Sequence, residues 1–525
     1  MSKLTDFKEK VFVSNSSYTM KEQLGYCGGI FGNCMGQDCI GTFADKFFRQ
    51  FMYIEAGQMT LYGNIALALG FIVAAISGYI LDTPSKPGKM TSARRITGLM
   101  PLPFAVSSML LFVVPSSIPF FSSLLGHFVP ASVAPAAVPA FKNFIWMAVF
   151  HLIFNTADQF YDASLNTVSL RITTNTKDRK NFYTVGTLAS ALGSMLPGWL
   201  IPMFVGSTKE AKKQKAYYFN IALVFCVMGV SLMLAPFFTL NDEKLRVKER
   251  PEKTKLSWDK ETLLSILHNK PFIITEVATF FEQIRQISYT LFPYVYEDVL
   301  QDLRLKTFMD IVSGALSYVG LLLVPFLGSH FAPRTILSGG FAYTGLFYGA
   351  MGLLAIRFSS AKMNKMRILI GILIGFAGMP NNAISASKKM MVGDSTDYME
   401  WYAEKRFGRP IHAEGFITAT QSLLGNVFNV IRTNLYNIVF GKLGYLPNYI
   451  DETTGEEVKA VQSEKTLKGI YLMFILCGVL GNLFASVSYL FDNYTGKRKE
   501  DINAVLQAMR EKRQETAAAA AEAAQ

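Results

Sequence analysis

The stretch NFIWMAVFHLIFNTADQFYDASLNTVS, residues 143–169, decides what kind of molecule this is. Crossing a hydrocarbon layer of ~30 Å takes roughly 20 residues of helix, and this segment is long enough to do so. Yet it holds two aspartates, Asp158 and Asp162, one helical turn apart. An ionisable group in such a segment points to function, because it must face a partner or a wet cavity.

The rest of the chain repeats the pattern. Of 525 residues, 50% are hydrophobic and only 17% charged, and the mean hydropathy is +0.26. Apolar windows near 25–54, 57–81, 96–116, 143–169, 183–205, 217–240, 271–294, 307–327, 336–356, 368–387, 413–440 and 469–490 predict twelve transmembrane helices in an all-α polytopic membrane protein. A charged stretch at 241–270, partly amphipathic, separates six windows from six. The predicted layout is an N-terminal tail at 1–24, a six-helix bundle at 25–240, this linker, a second bundle at 271–490 and a C-terminal tail at 491–525. The tail ends in TAAAAAEAAQ and reads as a solvated helix that serves solubility.

With both termini placed inside, the inner segments hold 32 Lys and Arg against 15 outside. That bias predicts cytoplasmic termini and a cell (plasma or inner) membrane location. The net charge of +12 therefore belongs to loops and does not mark a nucleic-acid face. The first 23 residues carry no signal-peptide core. Cys27, Cys34, Cys39, Cys226 and Cys477 have neither disulfide nor zinc spacing, so no metal and no cofactor are expected. The run GYCGGIFG (Gly25–Gly32) lacks the Lys-Ser/Thr of a phosphate loop and is read as close helix packing. No hydrolase elbow, HExxH or paired CxxC appears and no soluble domain is large enough for an active site, so the protein is not expected to be an enzyme.

Other spans are also charged. Asp45 with Arg49, and Glu282 with Arg285, are spaced to pair on one helix face. Asp158 and Asp162 share a face and a sign, so they would not both stay ionised without a cation or opposing base. Asp38, Lys46, Glu276 and Arg432 have no local partner and need one from another helix or a ligand. His151, alone in its span, is read as a packing residue.

Two loops then carry a recognisable pattern. One is Gly78-Tyr-Ile-Leu-Asp82-Thr83 with Gly88-Lys89; the stronger is Gly393-Asp394-Ser-Thr-Asp397-Tyr398-Met-Glu400-Trp401, then Lys405-Arg406 and Glu414-Gly415. With Asp162, Asp178-Arg179 and Leu443-Gly-Tyr445-Leu-Pro447-Asn448, the chain resembles the glycoside–pentoside–hexuronide:cation symporters of the major facilitator superfamily, the melibiose permease branch in particular. The resemblance implies two pseudo-symmetric six-helix bundles, a sugar or sugar-acid substrate bound between them, and alternating access. It implies gating roles for Asp82, Asp394, Asp397, Glu400 and Arg406, and substrate contacts from Asp162 and Gln421.

Elsewhere the pattern departs. The second-span carboxylates that hold Na⁺ fall on Gly70 and Ala74, the neighbouring lysine on Asn426, a cation-site threonine on Gln159, the sugar-stacking aromatic on Asn166, a fifth-span arginine on Thr187 and the first-span aspartate on Cys34, with Asp38 one turn along. Hard cations need several oxygen ligands, so a proton carried by Asp158 or Asp162, or uncoupled transport, is expected in preference to Na⁺. Asp38, Asn166 and Asn426 join the expected substrate contacts, and Lys46 and Arg432 are expected anion contacts. Other readings are a carrier of lysolipids and a sugar sensor that does not transport.

Overall fold

The computed structural model describes residues 18–82, 88–130, 132–172, 176–245, 260–408, 414–450 and 457–523. Helix α1 (Met20–Cys39) starts ahead of the expected window because Thr19 and Glu22 form a capping box, Thr19 N–H donating to Glu22 Oε2 at 2.7 Å and Glu22 N–H to the Thr19 hydroxyl at 3.3 Å. It continues through a π-helical turn (Ile40–Ala44) into α2 (Asp45–Gln50), followed by α3 (Ala56–Asp82). The window expected at 96–116 is two helices, α4 (Ser92–Leu99) and α5 (Pro101–Leu110), because Pro101 and Pro103 offer no amide hydrogen to a continuous ladder. Then come α6 (Pro119–Gly126), α7 (Val138–Arg171), α8 (Thr176–Val205), α9 (Ala211–Met233), α10 (Ala235–Thr239) and α11 (Asp242–Leu245).

The second part begins with α12 (Lys260–Leu267) and α13 (Lys270–Tyr294), which ends in a second π-helical turn, Val295–Val299. It goes on with α14 (Arg304–His330), α15 (Pro333–Arg357), α16 (Ser360–Lys365), α17 (Arg367–Ala377), α18 (Asn381–Phe407) and α19 (Glu414–Gly441). A two-residue antiparallel ladder (β1 Tyr449–Ile450, β2 Glu457–Val458) precedes α20 (Glu464–Leu490) and α21 (Gly496–Ala523). Among the described residues, six segments are long and apolar enough to cross a bilayer: Ala56–Leu81, Val185–Val205, Ala211–Thr239, Pro333–Arg357, Arg367–Phe407 and Glu464–Leu490. The chain is a multi-pass helical membrane protein.

Two expectations are corrected here. The signature at 393–401 is not a loop: α18 runs through it until Gly408, whose φ of 70° terminates the helix. The C-terminal tail is not merely solvated either. Ile502 is buried with Tyr398 and Tyr494, and Lys499 Nζ contacts both Asp394 oxygens at 2.6 Å, fixing α21 to α18.

The chain packs as two compact units, the first joining the described residues of 1–252 to 290–310 and 433–470, the second comprising those of 253–289, 311–432 and 471–525. The first break falls within the stretch 241–270 expected to separate the halves, but 290–310 and 433–470 join the first unit, and charge explains that joining. Lys46 has no exposed side-chain surface and lies 2.8 Å from Glu297 Oε2 and 2.9 Å from Asp298 Oδ2. Lys459 meets the same two carboxylates at 2.6 and 3.2 Å. Gln214 Nε2 donates to Glu297 and Tyr445 to Asp298, at 3.1 and 3.2 Å. Alongside, Asp45 accepts from Arg49 at 3.1 Å, Tyr294 at 2.8 Å and Tyr436 at 2.6 Å.

Within the same unit α1 packs on α8 and α9 at glycine contacts. A side chain at Gly193 of α8 would lie 2.4 Å from the Phe31 carbonyl oxygen, and one at Gly32 of α1 2.9 Å from Met233 Cγ of α9. Outside the spans, Arg94 and Asp242 pair at 2.7 Å. Burial pushes the Asp242 carboxyl up, but donors from Thr91 and Arg94 outweigh it and hold the group below its ordinary value.

Two outcomes are expected for the purified protein, read as thermal unfolding in detergent. Gly193→Ala forces backbone apart at the α1–α8 contact and should destabilise by about 1–3 kcal/mol. Lys46→Met, which leaves Glu297 and Asp298 facing one lysine, should cost about 3–5 kcal/mol, with partial recovery on adding Glu297→Gln.

Candidate functional site

In the first unit, α7 presents Asp158 and Asp162 where the sequence put them, but the pair does not share one environment. Asp158 Oδ1 accepts from Gln37 Nε2 at 2.7 Å and takes a second bond from Asn33. Amide donors from α1 therefore satisfy it. Asp162 is exposed, and its hydrogen bond comes from Asn166 Nδ2, one turn along α7, at a long 3.4 Å. Its remaining acceptor capacity is free for hydroxyl donors. Asp38 on α1 accepts from Ser194 of α8, and Cys34 lies 3.0 Å from the Ser190 hydroxyl. His151 is held by Tyr62 at 2.6 Å and Asn155 at 3.1 Å, as a packing residue would be.

Lys46, expected to be an anion contact, is corrected. Its ammonium is shared by Glu297, Asp298 and the Pro293 carbonyl, the last at 3.1 Å, which leaves no donor for a ligand. The expectation failed because the partners lie at 297–298, just past the window drawn at 271–294.

In the second unit, α13 and α19 are joined by two rungs, Gln421 to Glu276 at 3.0 Å and Arg432 to Gln283 at 3.3 Å. Arg432 has no carboxylate partner among the described residues. Gln421 and Arg432 are eleven residues apart, three helical turns, and so share a face of α19. Asn426, on the same helix, is half-buried. The expected Glu282–Arg285 pair is replaced: Glu282 takes Lys388 of α18 at 2.6 Å, while Arg285 bonds Asn381 and Tyr289, each at 3.3 Å.

The expected gating residues are partly placed. Asp394 is paired with Lys499, Asp397 is half-buried, Glu400 is buried and Arg406 is exposed in the last turn of α18. Asp82 closes α3, and its side chain lies outside the described residues, as do those of Thr83, Asp178, Arg179, Glu414 and Gly415. Where Na⁺ carboxylates would stand on α3, Gly70 packs against Gln159, whose Nε2 would be 3.2 Å from an added side chain. Among the described residues no group of three metal-ligating side chains forms.

Sequence reasoning missed Glu297, Asp298, Lys306, Asp310, Lys388 and Lys459. All lie near or beyond the edges of apolar windows, where hydropathy assigns charge to loops. The spacing of Lys306 and Asp310, one turn apart, was the available signal.

A family model described as MFS/sugar transport protein matches residues 27–495. A candidate sulfoquinovose importer of Salmonella typhimurium is 23% identical over 471 residues, covering 88% of this chain and 87% of its own length. A like-named protein of Escherichia coli is 20% identical over 491 residues, covering 91% and 92%. Among solved structures, the xylose transporter of E. coli in an inward-open conformation superposes with a TM-score of 0.56 at 13% identity, covering 92% of this chain and 98% of its own. A bacterial homologue of the human lysosomal transporter Spinster gives a TM-score of 0.58 at 11% identity, covering 89% and 96%. The fold is that of the major facilitators, and this chain belongs to their MFS/sugar transport protein family.

Proposed function

We propose that the protein carries a sugar acid across the cell membrane by alternating access, with both termini in the cytoplasm and a proton rather than Na⁺ as the coupled ion. One observation carries this reading. Asp162 is an exposed carboxylate within an apolar helix, bonded only weakly to its neighbour Asn166. Such a group accepts hydrogen bonds from vicinal hydroxyls with roughly twice the strength of a neutral acceptor. Asn166, Gln421 and Asn426 supply amides suited to further hydroxyls.

Arg432 supports the acid in the substrate. It is a guanidinium without a carboxylate partner among the described residues, on the face of α19 that bears Gln421. Carboxylate and sulfonate both fit such a fork. The relatives named for sulfoquinovose, a sulfonated sugar, agree with that chemistry. Gating falls to Asp394, Asp397, Glu400 and Arg406, with Asp82 at the end of α3, because ion pairs such as Asp394–Lys499 can be broken and remade between two states. Missing second-span carboxylates disfavour Na⁺.

The test is thermal unfolding of the purified protein with sulfoquinovose, glucuronate, a neutral methyl glycoside, a nucleoside and a lysolipid. A ligand at 100 times its Kd stabilises the folded state by about 2.7 kcal/mol. Sulfoquinovose or glucuronate should do so and the methyl glycoside less. Asp162→Asn should weaken the response by roughly 10- to 100-fold in Kd, the loss of one charged hydrogen-bond acceptor. Stabilisation by the lysolipid alone would reject the sugar, and an unchanged Kd would remove Asp162 from the site.

A further inference from the structure

Three charged side chains from two helices converge on a third, α8. Ser194 and Gly198 lie one turn apart on that helix. Ser194 bonds Asp38 of α1. A methyl group on Gly198 would come within 3.0 Å of Asp310 Oδ2 and 3.7 Å of Lys306 Nζ, both on α14. Lys306 and Asp310 form a close ion pair one turn apart. Thr307 ties α14 to α8 by donating to the Trp199 carbonyl at 2.9 Å. The Lys306 side chain is 5% exposed and its ammonium lies 5.3 Å from the centre of the Phe43 ring, whereas Asp310 is 33% exposed. Asp38 feels the charges of both Lys306 and Asp310. The other titratable groups near it are Cys34 and Cys39 of its own helix, and Asp158 and Asp162 of α7 face the same Cys34.

The arithmetic of this niche differs from that of the Lys46 cluster. Two half-buried carboxylates lie about one almost wholly buried ammonium, so one negative charge is left over, and one carboxylate is best accommodated with a proton on it. Glycine at 198 leaves the pair room to rearrange. We propose that Asp38, Lys306 and Asp310 hold the co-transported proton, an assignment that rests on the transport reading above. A proton from water adds to a carboxylate oxygen of the pair Asp38 and Asp310 and later leaves from it; no other bond changes. Asp38 is thereby moved from the sugar to the proton, and Asp158, occupied by Gln37 and Asn33, is released from that role.

Two measurements test this without sharing a failure. Proton uptake by the purified, sugar-free protein after a rapid drop in pH, followed with an indicator dye and by the infrared carboxyl band, should show a step lost in Asp38→Asn and in Asp310→Asn and retained in Asp158→Asn. Ser194→Ala, which leaves the ion pair alone, should move the midpoint of that step towards alkaline pH and guards against misfolding of the other variants. In proteoliposomes, accumulation of labelled sulfoquinovose or glucuronate driven by a pH gradient should be lost in Asp38→Asn while exchange at equal pH continues. A step that persists in both asparagine variants, or that disappears with Asp158→Asn, overturns the assignment. If neither sugar acid moves in the wild type, the transport reading fails and proton uptake still decides the triad.

Discussion

An ammonium with no exposed surface must be matched charge for charge, and Lys46 organises the first unit for that reason. Removing it from water would cost several kcal/mol uncompensated. Glu297, Asp298 and Lys459 complete a set of two acids and two bases. Around that neutral cluster, Tyr445 and Gln214 satisfy carboxylate oxygens, and Tyr294 places its ring 5.0 Å from the ammonium. Segments 290–310 and 433–470 belong with the N-terminal residues, where their charges and phenols meet Lys46, Asp45 and Gln214.

Backbone irregularity makes this matching possible. A π-helical turn at Ile40–Ala44 precedes Lys46, and another at Val295–Val299 contains both of its carboxylates. Each turn adds a residue to the regular repeat and so rotates the remainder of the helix about its axis. The first part of α1 can then press its glycines against α9 and α10 and receive those of α8, while α2 aims Lys46 and Arg49 elsewhere. π-helical turns gather at functional positions in helices because they re-aim side chains that the regular repeat would point into lipid or a neighbour.

Much of the fold was legible because hydropathy over twenty residues reports the solvent directly. The windows at 57–81, 143–169 and 469–490 lie within single helices. Windows at 96–116 and 368–387 were broken where Pro101 and Pro380 remove amide donors, a local signal that an averaged hydropathy conceals. In the site, α7 and α19 were legible because Asp162, Gln421 and Arg432 stand out against apolar neighbours. Partners were not. Asp45 and Arg49 pair as their spacing predicts, yet Glu282 prefers Lys388, 106 residues away, to Arg285. Local spacing shows which groups can meet, and tertiary packing decides which do. Charges at window edges, such as Lys306 and Lys459, looked like loop residues because sequence alone does not show how deeply a helix end is buried.

Three kinds of intramembrane charge can now be distinguished, and on the proposed assignment the two unbalanced ones give a physical basis for coupling. The Lys46 cluster is balanced. The Asp38, Lys306 and Asp310 niche carries one negative charge in excess, and Arg432 carries one positive charge without a carboxylate among the described residues. Empty, the niche and the guanidinium carry excess charges of opposite sign. With a proton on the niche and a sugar acid on the guanidinium, each excess is neutralised locally. With only the acid bound, the niche stays negative; with only the proton bound, the guanidinium stays positive, and either state buries a net charge in a low dielectric. Burial of net charge opposes the passage of half-loaded forms through any water-excluded intermediate. Proton and sugar acid would then travel together without touching, because each corrects a charge that the other leaves exposed.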